Sequence, residues 1–163
     1  MSESANPFAP PQAEVRDVAT GPTLGGRGTR LVAAIVDGLL QGAVFWGVAK
    51  LLPINLFAAD AGFAGLAVTV VLGMAIFLVL QGWLLVRDGQ TIGKKLLGLR
   101  IVRSDGSRAS GVRLIVQRYG VSFVIAMIPA VGALYSLVDS LLIFRESRKC
   151  LHDNIADTIV VTA

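Results

Sequence analysis

Two long apolar runs constrain this chain more than anything else in it. Residues 31–52 and 62–86 are each long enough, at about 1.5 Å per helical residue, to cross a hydrocarbon core of about 30 Å, and the second is interrupted only by Thr69 and Gln81. A chain of 163 residues has too little other material to cover both runs inside a soluble domain. Composition points the same way: with 54% of residues apolar and 16% charged, a water-soluble single-domain enzyme is nearly excluded. Cys150 and His152 are the only cysteine and the only histidine, so there is no disulfide framework and no site needing two imidazoles.

The remaining segments follow from charge and punctuation. Residues 1–24 hold four of the six prolines without periodicity and read as a disordered cytoplasmic tail; residues 25–163 form one membrane domain. No basic region leads directly into an apolar core and a small-residue cleavage site, so no signal peptide is expected. Pro53 ends the first span, and a connection with Asn55 and Asp60 leads to the second. Between residues 87 and 118 lie eight of the fifteen basic residues, which the positive-inside rule places in the cytoplasm beside anionic lipid head groups. This account of the net charge of +4 makes a nucleic-acid partner unnecessary. Within that loop Thr91 is placed to cap a short helix, and residues 99–103 read as a strand entering an Asp105-Gly106 turn. The β-branched residues 158–161 are suited to pair with it near Ile101. The last apolar region, with Pro129 and Gly132 inside and Arg145, Arg148 and Lys149 after it, must enter and leave on one face. It is therefore expected as a short helical hairpin, about 111–128 and 131–144. The fold class that results is an all-α integral membrane protein: two full transmembrane helices, a short C-terminal membrane hairpin, a small cytoplasmic β element and both termini cytoplasmic.

Asp37 is the most informative polar residue, because a carboxylate inside the bilayer costs a few kcal/mol and calls for a partner or a task. Arg30 lies seven residues earlier on the same helical face, and Gln41 one turn deeper. Gly38 and Gly42 give that face a GxxxG spacing, which predicts close packing against another helix. Counting back from the helix ends puts Gln81 and Asp139 about 8 to 9 Å below the same surface as Asp37, so three helices are expected to share one polar layer. Such a layer serves either helix packing or the passage of a proton or small ion, and four short helices would need a homo-oligomer or a larger membrane partner to enclose a path. Two apparent motifs fall away. Residues 89–95, Gly-Gln-Thr-Ile-Gly-Lys-Lys, have one residue too few between the glycines of a phosphate loop and no Ser or Thr after the lysine. His152, Asp153 and Cys150 offer too few metal ligands, so no metal, cofactor or catalytic residue is expected.

Three ordered motifs carry a resemblance. Arg30-Leu-Val-Ala-Ala-Ile-Val-Asp37, then Thr91-Ile-Gly93-Lys94-Lys-Leu-Leu-Gly98-Leu-Arg-Ile-Val, then Leu151-His152-Asp153-Asn-Ile-Ala-Asp157-Thr158 are similar to the motifs of the RDD family of bacterial membrane proteins, over about residues 25–163. The resemblance implies a place in the bacterial cytoplasmic membrane and identifies Arg30, Asp37 and Asp153 as the arginine and two aspartates that name the family. It implies no defined activity; transport of ligands is the usual suggestion, with sodium/proton exchange proposed for some members. Asp157 stands where glycine or another small residue is common. Residues and resemblance together predict that the His152-Asp153 segment folds back onto the first helix, with Arg30 between Asp37 and Asp153.

Overall fold

A computed structural model describes residues 21–52, 62–128 and 130–163. Most of the expected tail, the connection with Asn55 and Asp60, and Pro129 lie outside the described residues. Two long helices, α1 (Arg27–Leu51) and α2 (Gly62–Asp88), match the apolar runs that predicted them, α1 starting four residues earlier and α2 ending two residues later. Both are long and apolar enough to cross a membrane. They are not the core helices of a soluble domain, since most of each helix lies uncovered: Leu39, Val79 and Trp83 are among the exposed large side chains. The chain is mostly helical with two candidate spans.

After α2 come the short α3 (Ile92–Leu96) and β1 (Leu99–Arg103). A π-helical segment, Arg113–Gly120, runs into α4 (Val121–Ala126). Then follow α5 (Val131–Leu141) with a 3-10 turn Leu142–Phe144, α6 (Leu151–Ile155) and β2 (Thr158–Thr162). The helices expected over 111–128 and 131–144 are thus each composite, a π turn opening the first and a 3-10 turn closing the second.

β1 and β2 pair antiparallel with Ile101 opposite Val160. Their inward residues Leu99, Ile101 and Val160 join Leu85, Ala33, Phe77, Ala109 and Leu114 in one core, each fully buried large side chain worth about 1.5–3 kcal/mol. Other segments extend this ribbon. Residues 23–25, the first two of which composition assigns to the tail, line the outer edge of β2: Thr162 N–H donates to Thr23 O at 3.0 Å and Gly25 N–H to Val160 O at 2.9 Å. At the other edge Ile101 N–H donates to Gly89 O at 2.8 Å. The entry to α1, the exit from α2 and the last strand therefore meet at one end of the helix bundle.

Candidate functional site

Arginines and aspartates gather directly beneath that ribbon. α6 carries Asp153 inward to full burial, and Arg30 in the first turns of α1 donates Nη2 to Asp153 Oδ2 at 2.7 Å. The fold-back of the His-Asp segment onto the first helix is present in this contact. A second guanidinium, that of Arg118, holds the other oxygen of Asp153 and donates to the Thr158 hydroxyl at 2.5 Å. Cys150 N–H adds a bond to Oδ2 at 3.1 Å. Burial alone pushes the Asp153 carboxyl up, but Arg118, then His152 and Arg30, hold it well below the usual carboxylate range. This carboxylate is ionised and fully claimed.

Arg118 was not singled out from sequence, although a signal was available. It lies four residues after Leu114, so the two share a helical face, and both are essentially inaccessible. An arginine on a buried apolar face requires an acid partner. The π turn ends as Val121 N–H bonds back to Val116 O, and Arg118 sits over the Tyr119 ring at 5.7 Å.

Asp37 belongs to a different cluster. Its Oδ2 accepts the Thr91 hydroxyl at 2.5 Å; its Oδ1 accepts Gly93 N–H at 2.7 Å and Gln81 Nε2 at 3.1 Å. Lys94 Nζ stands 3.8 Å from Oδ2. Gln81 Oε1 takes Ile92 N–H at 2.7 Å, so α1 and α2 together satisfy the first amides of α3, whose N-cap is Thr91 as expected. Gly93 is glycine because a Cβ there would lie 2.3 Å from Ala33 O. Gly98 takes a φ of +63° just past α3, where the chain reverses into β1.

Four expected groupings differ from what the structure brings together. Arg30 does not bridge Asp37 and Asp153, because Asp37 turns toward α2 and α3 and is served there. Nor are Asp37 and Asp139 joined in one hydrogen-bonded group: Asp139, on α5, accepts His152 N–H at 3.0 Å and lies 2.6 Å from His152 Nδ1. Gln41, one turn deeper than Asp37, donates to Gly73 O at 2.7 Å and stands apart from both clusters. Finally, a Cβ at Gly38 or Gly42 would meet nothing within 4 Å among the described residues, so the GxxxG face is not packed by them.

Asp157 is exposed, with Arg103 at 3.6 Å and Arg113 at 3.8 Å, and adds nothing to the buried carboxylates. Its φ of +50° explains why a glycine would suit the position. His152 stacks on Tyr119 at 6.5 Å and is held below its ordinary pKa by burial and by Arg118. Beside it is a cavity of about 100 Å³ between α1, α5 and α6, lined by Arg30, Lys94, Asp139, Ser140, Cys150 and His152 among others. The Asp37 and Asp153 carboxylates are therefore fully occupied, and Asp139 is the carboxylate that lines this cavity, together with His152 and the cations Arg30, Lys94 and Arg118.

The model of the RDD family matches residues 24–157. A protein of Bacillus subtilis strain 168, named "Uncharacterized protein YckC", is 36% identical over 75 residues. That match covers 46% of this chain and 48% of the relative, so the chain spans about half the length of the curated relative it matches. No solved structure matches.

Proposed function

The chain belongs to the RDD family, and from that premise we propose that it is a multi-pass protein of the bacterial cytoplasmic membrane that works as a subunit of a small-ion carrier. In this reading the ribbon end is cytoplasmic, with both termini, and α4 and α5 form a membrane hairpin. Support comes from the antiparallel pairing of β1 with β2, which needs an even number of crossings between them, and from the basic residues 87–118 at that end. Reporter fusions after Gly106 and Ala163 should both report the cytoplasm, and a fusion after Pro53 the outside.

The observation that carries the carrier reading is the cavity itself. It places a carboxylate, a histidine and a free thiol at the boundary between the bundle and the ribbon, while Arg30, Asp37 and Asp153 are locked in structural contacts. In this reading Asp139 and His152 bind the ion, and the Arg30–Asp153–Arg118 clasp keeps the ribbon seated above them. The bilayer is one partner, its anionic head groups facing the basic loop; further copies of the chain or a larger membrane protein complete the path. Proteoliposomes loaded with a pH-sensitive dye and challenged with sodium, potassium and proton gradients test it. Flux should be present in the wild type and abolished by Asp139→Asn, with the variant still monodisperse. A wild type that moves none of these ions overturns the reading.

That result would favour a non-transporting scaffold or accessory subunit. A specific observation stands behind this second reading: the two family aspartates, Asp37 and Asp153, have every oxygen occupied by arginine, amide or hydroxyl donors. Groups bound that way fix helices rather than exchange ligands.

A further inference from the structure

We propose that Asp139, Cys150 and His152 form a binding site for a divalent transition-metal ion of the zinc and cobalt type. Their ligand atoms, one carboxylate oxygen, one thiol sulfur and one imidazole nitrogen, all lie within 4.8 Å of one another. Sequence spacing shows only two of them together; the third comes from α5, thirteen residues before His152, because Asp139 accepts the His152 N–H in the first turn of α6. Oxygen, nitrogen and sulfur donors in one set suit zinc, whereas a hard ion such as magnesium is bound by oxygen alone.

Around such an ion the donors would stand about 3.3 to 3.6 Å apart in tetrahedral geometry. The Asp139 Oδ2 to His152 Nδ1 contact of 2.6 Å must therefore open by about 0.7 to 1 Å, and the wider spacings, up to 4.8 Å, close by at most about 1.5 Å. The fourth position is open to the cavity of about 100 Å³, which has room for water or an exchanging ligand. Three protein ligands with an open fourth place is the pattern of sites that exchange what they bind.

Charge permits this despite the neighbouring cations Arg30, Arg118 and Lys94. With thiol and imidazole neutral, Arg30 and Arg118 are balanced by Asp153 and Asp139, and Lys94, the third cation at the cavity, by Asp37, so the cluster carries no net charge. A divalent ion that expels the thiol proton raises the net charge by one. Arg30 Nη2, 3.9 Å from Cys150 Sγ, then faces a thiolate instead of a thiol. The bond that forms is metal to sulfur, the bond that breaks is sulfur to hydrogen, and the proton leaves to solvent without any change of oxidation state.

This inference rests on the same side chains as the carrier reading, but its test does not depend on flux. The full chain, purified in detergent under reducing conditions with its affinity tag removed and then treated with chelator, is titrated with Co²⁺. One equivalent should bind and produce a near-ultraviolet thiolate-to-cobalt band, and Zn²⁺ should displace it. Cys150→Ser should abolish the band, and Asp139→Asn and His152→Gln should each weaken binding at least tenfold. A wild type that shows no band, or a band that survives Cys150→Ser, overturns the site, and neither result requires that the other variants fold. Cobalt binding without flux would sink the carrier reading alone; flux without cobalt binding would sink only the metal site.

Discussion

Replacing Asp153 by Asn removes one negative charge from between two guanidinium groups and changes almost no volume. Arg30 and Arg118 have side chains 5% and 1% exposed, so water cannot replace the lost counter-ion. Breaking a buried ion pair by deleting one partner costs about 3–5 kcal/mol, and the new amide adds an N–H₂ that faces cations already rich in donors. The expected loss is therefore about 4 kcal/mol, a shift of roughly a thousandfold in the unfolding equilibrium. Equilibrium unfolding in mixed detergent and dodecyl sulfate micelles, followed by fluorescence of Trp46 and Trp83, measures it. A double-mutant cycle isolates the cause: Arg118→Leu in the Asp153→Asn background removes one orphaned cation, so the double variant should be at least about 2 kcal/mol more stable than the sum of the single losses. A loss under about 1 kcal/mol for Asp153→Asn, or strict additivity in the cycle, refutes the shared carboxylate as the joint of this fold.

Gly93→Ala should cost about 2–3 kcal/mol, because the new Cβ, 2.3 Å from Ala33 O and 3.0 Å from Asp37 Cγ, forces α3 off α1 and breaks the Gly93 to Asp37 bond. Gly47→Ala, whose Cβ meets nothing within 4 Å, is the control and should cost nothing in the same unfolding assay. Gln41→Leu should leave stability within about 1 kcal/mol of wild type or raise it, since Gln41 Oε1 is buried without a partner among the described residues and membrane hydrogen bonds average well under 1 kcal/mol. In chelator, thermal stability should fall as pH drops through about 6.5, by at most about 1.4 kcal/mol per pH unit from this source. The sign follows from His152, whose folded pKa lies below its ordinary value: the unfolded chain takes up the proton first, so this contribution is complete above pH 6.5 and declines below it. His152→Gln should flatten that limb in a melting series across pH.

Local chemistry made much of this architecture legible. Thr91 as a helix cap, residues 99–103 as a strand, its pairing near Ile101 and the Arg30–Asp153 contact all follow from short-range rules or from motifs that place charges at one membrane surface. The polar layer was only half legible, for a geometric reason. Counting residues from a helix end gives depth along the axis and says nothing about direction around it, so Asp37 and Asp139 can share a depth and face different neighbours. Arg118 was hidden for a related reason: among the clustered basic residues 87–118, an arginine turned inward has nearly the same sequence signature as one turned to solvent. Only the inaccessible Leu114 on the same face separates the two.

The clasp also explains why the proposed ion site is placed in the neighbouring cavity rather than in the clasp. Its three charged members come from the first helix, the middle of the chain and the last helix, so it closes only when nearly the whole chain is in place. A joint of that kind works by not exchanging: releasing Asp153 for a ligand would leave two buried cations unpaired and unseat the ribbon. Asp37 is similarly committed, since its oxygens hold α3 against α1. Asp139 differs from both in having a histidine as its partner and a cavity beside it. In the proposed site Asp139 would give up that contact to an incoming ion, because the ribbon would still be held by Arg30, Arg118 and Asp153.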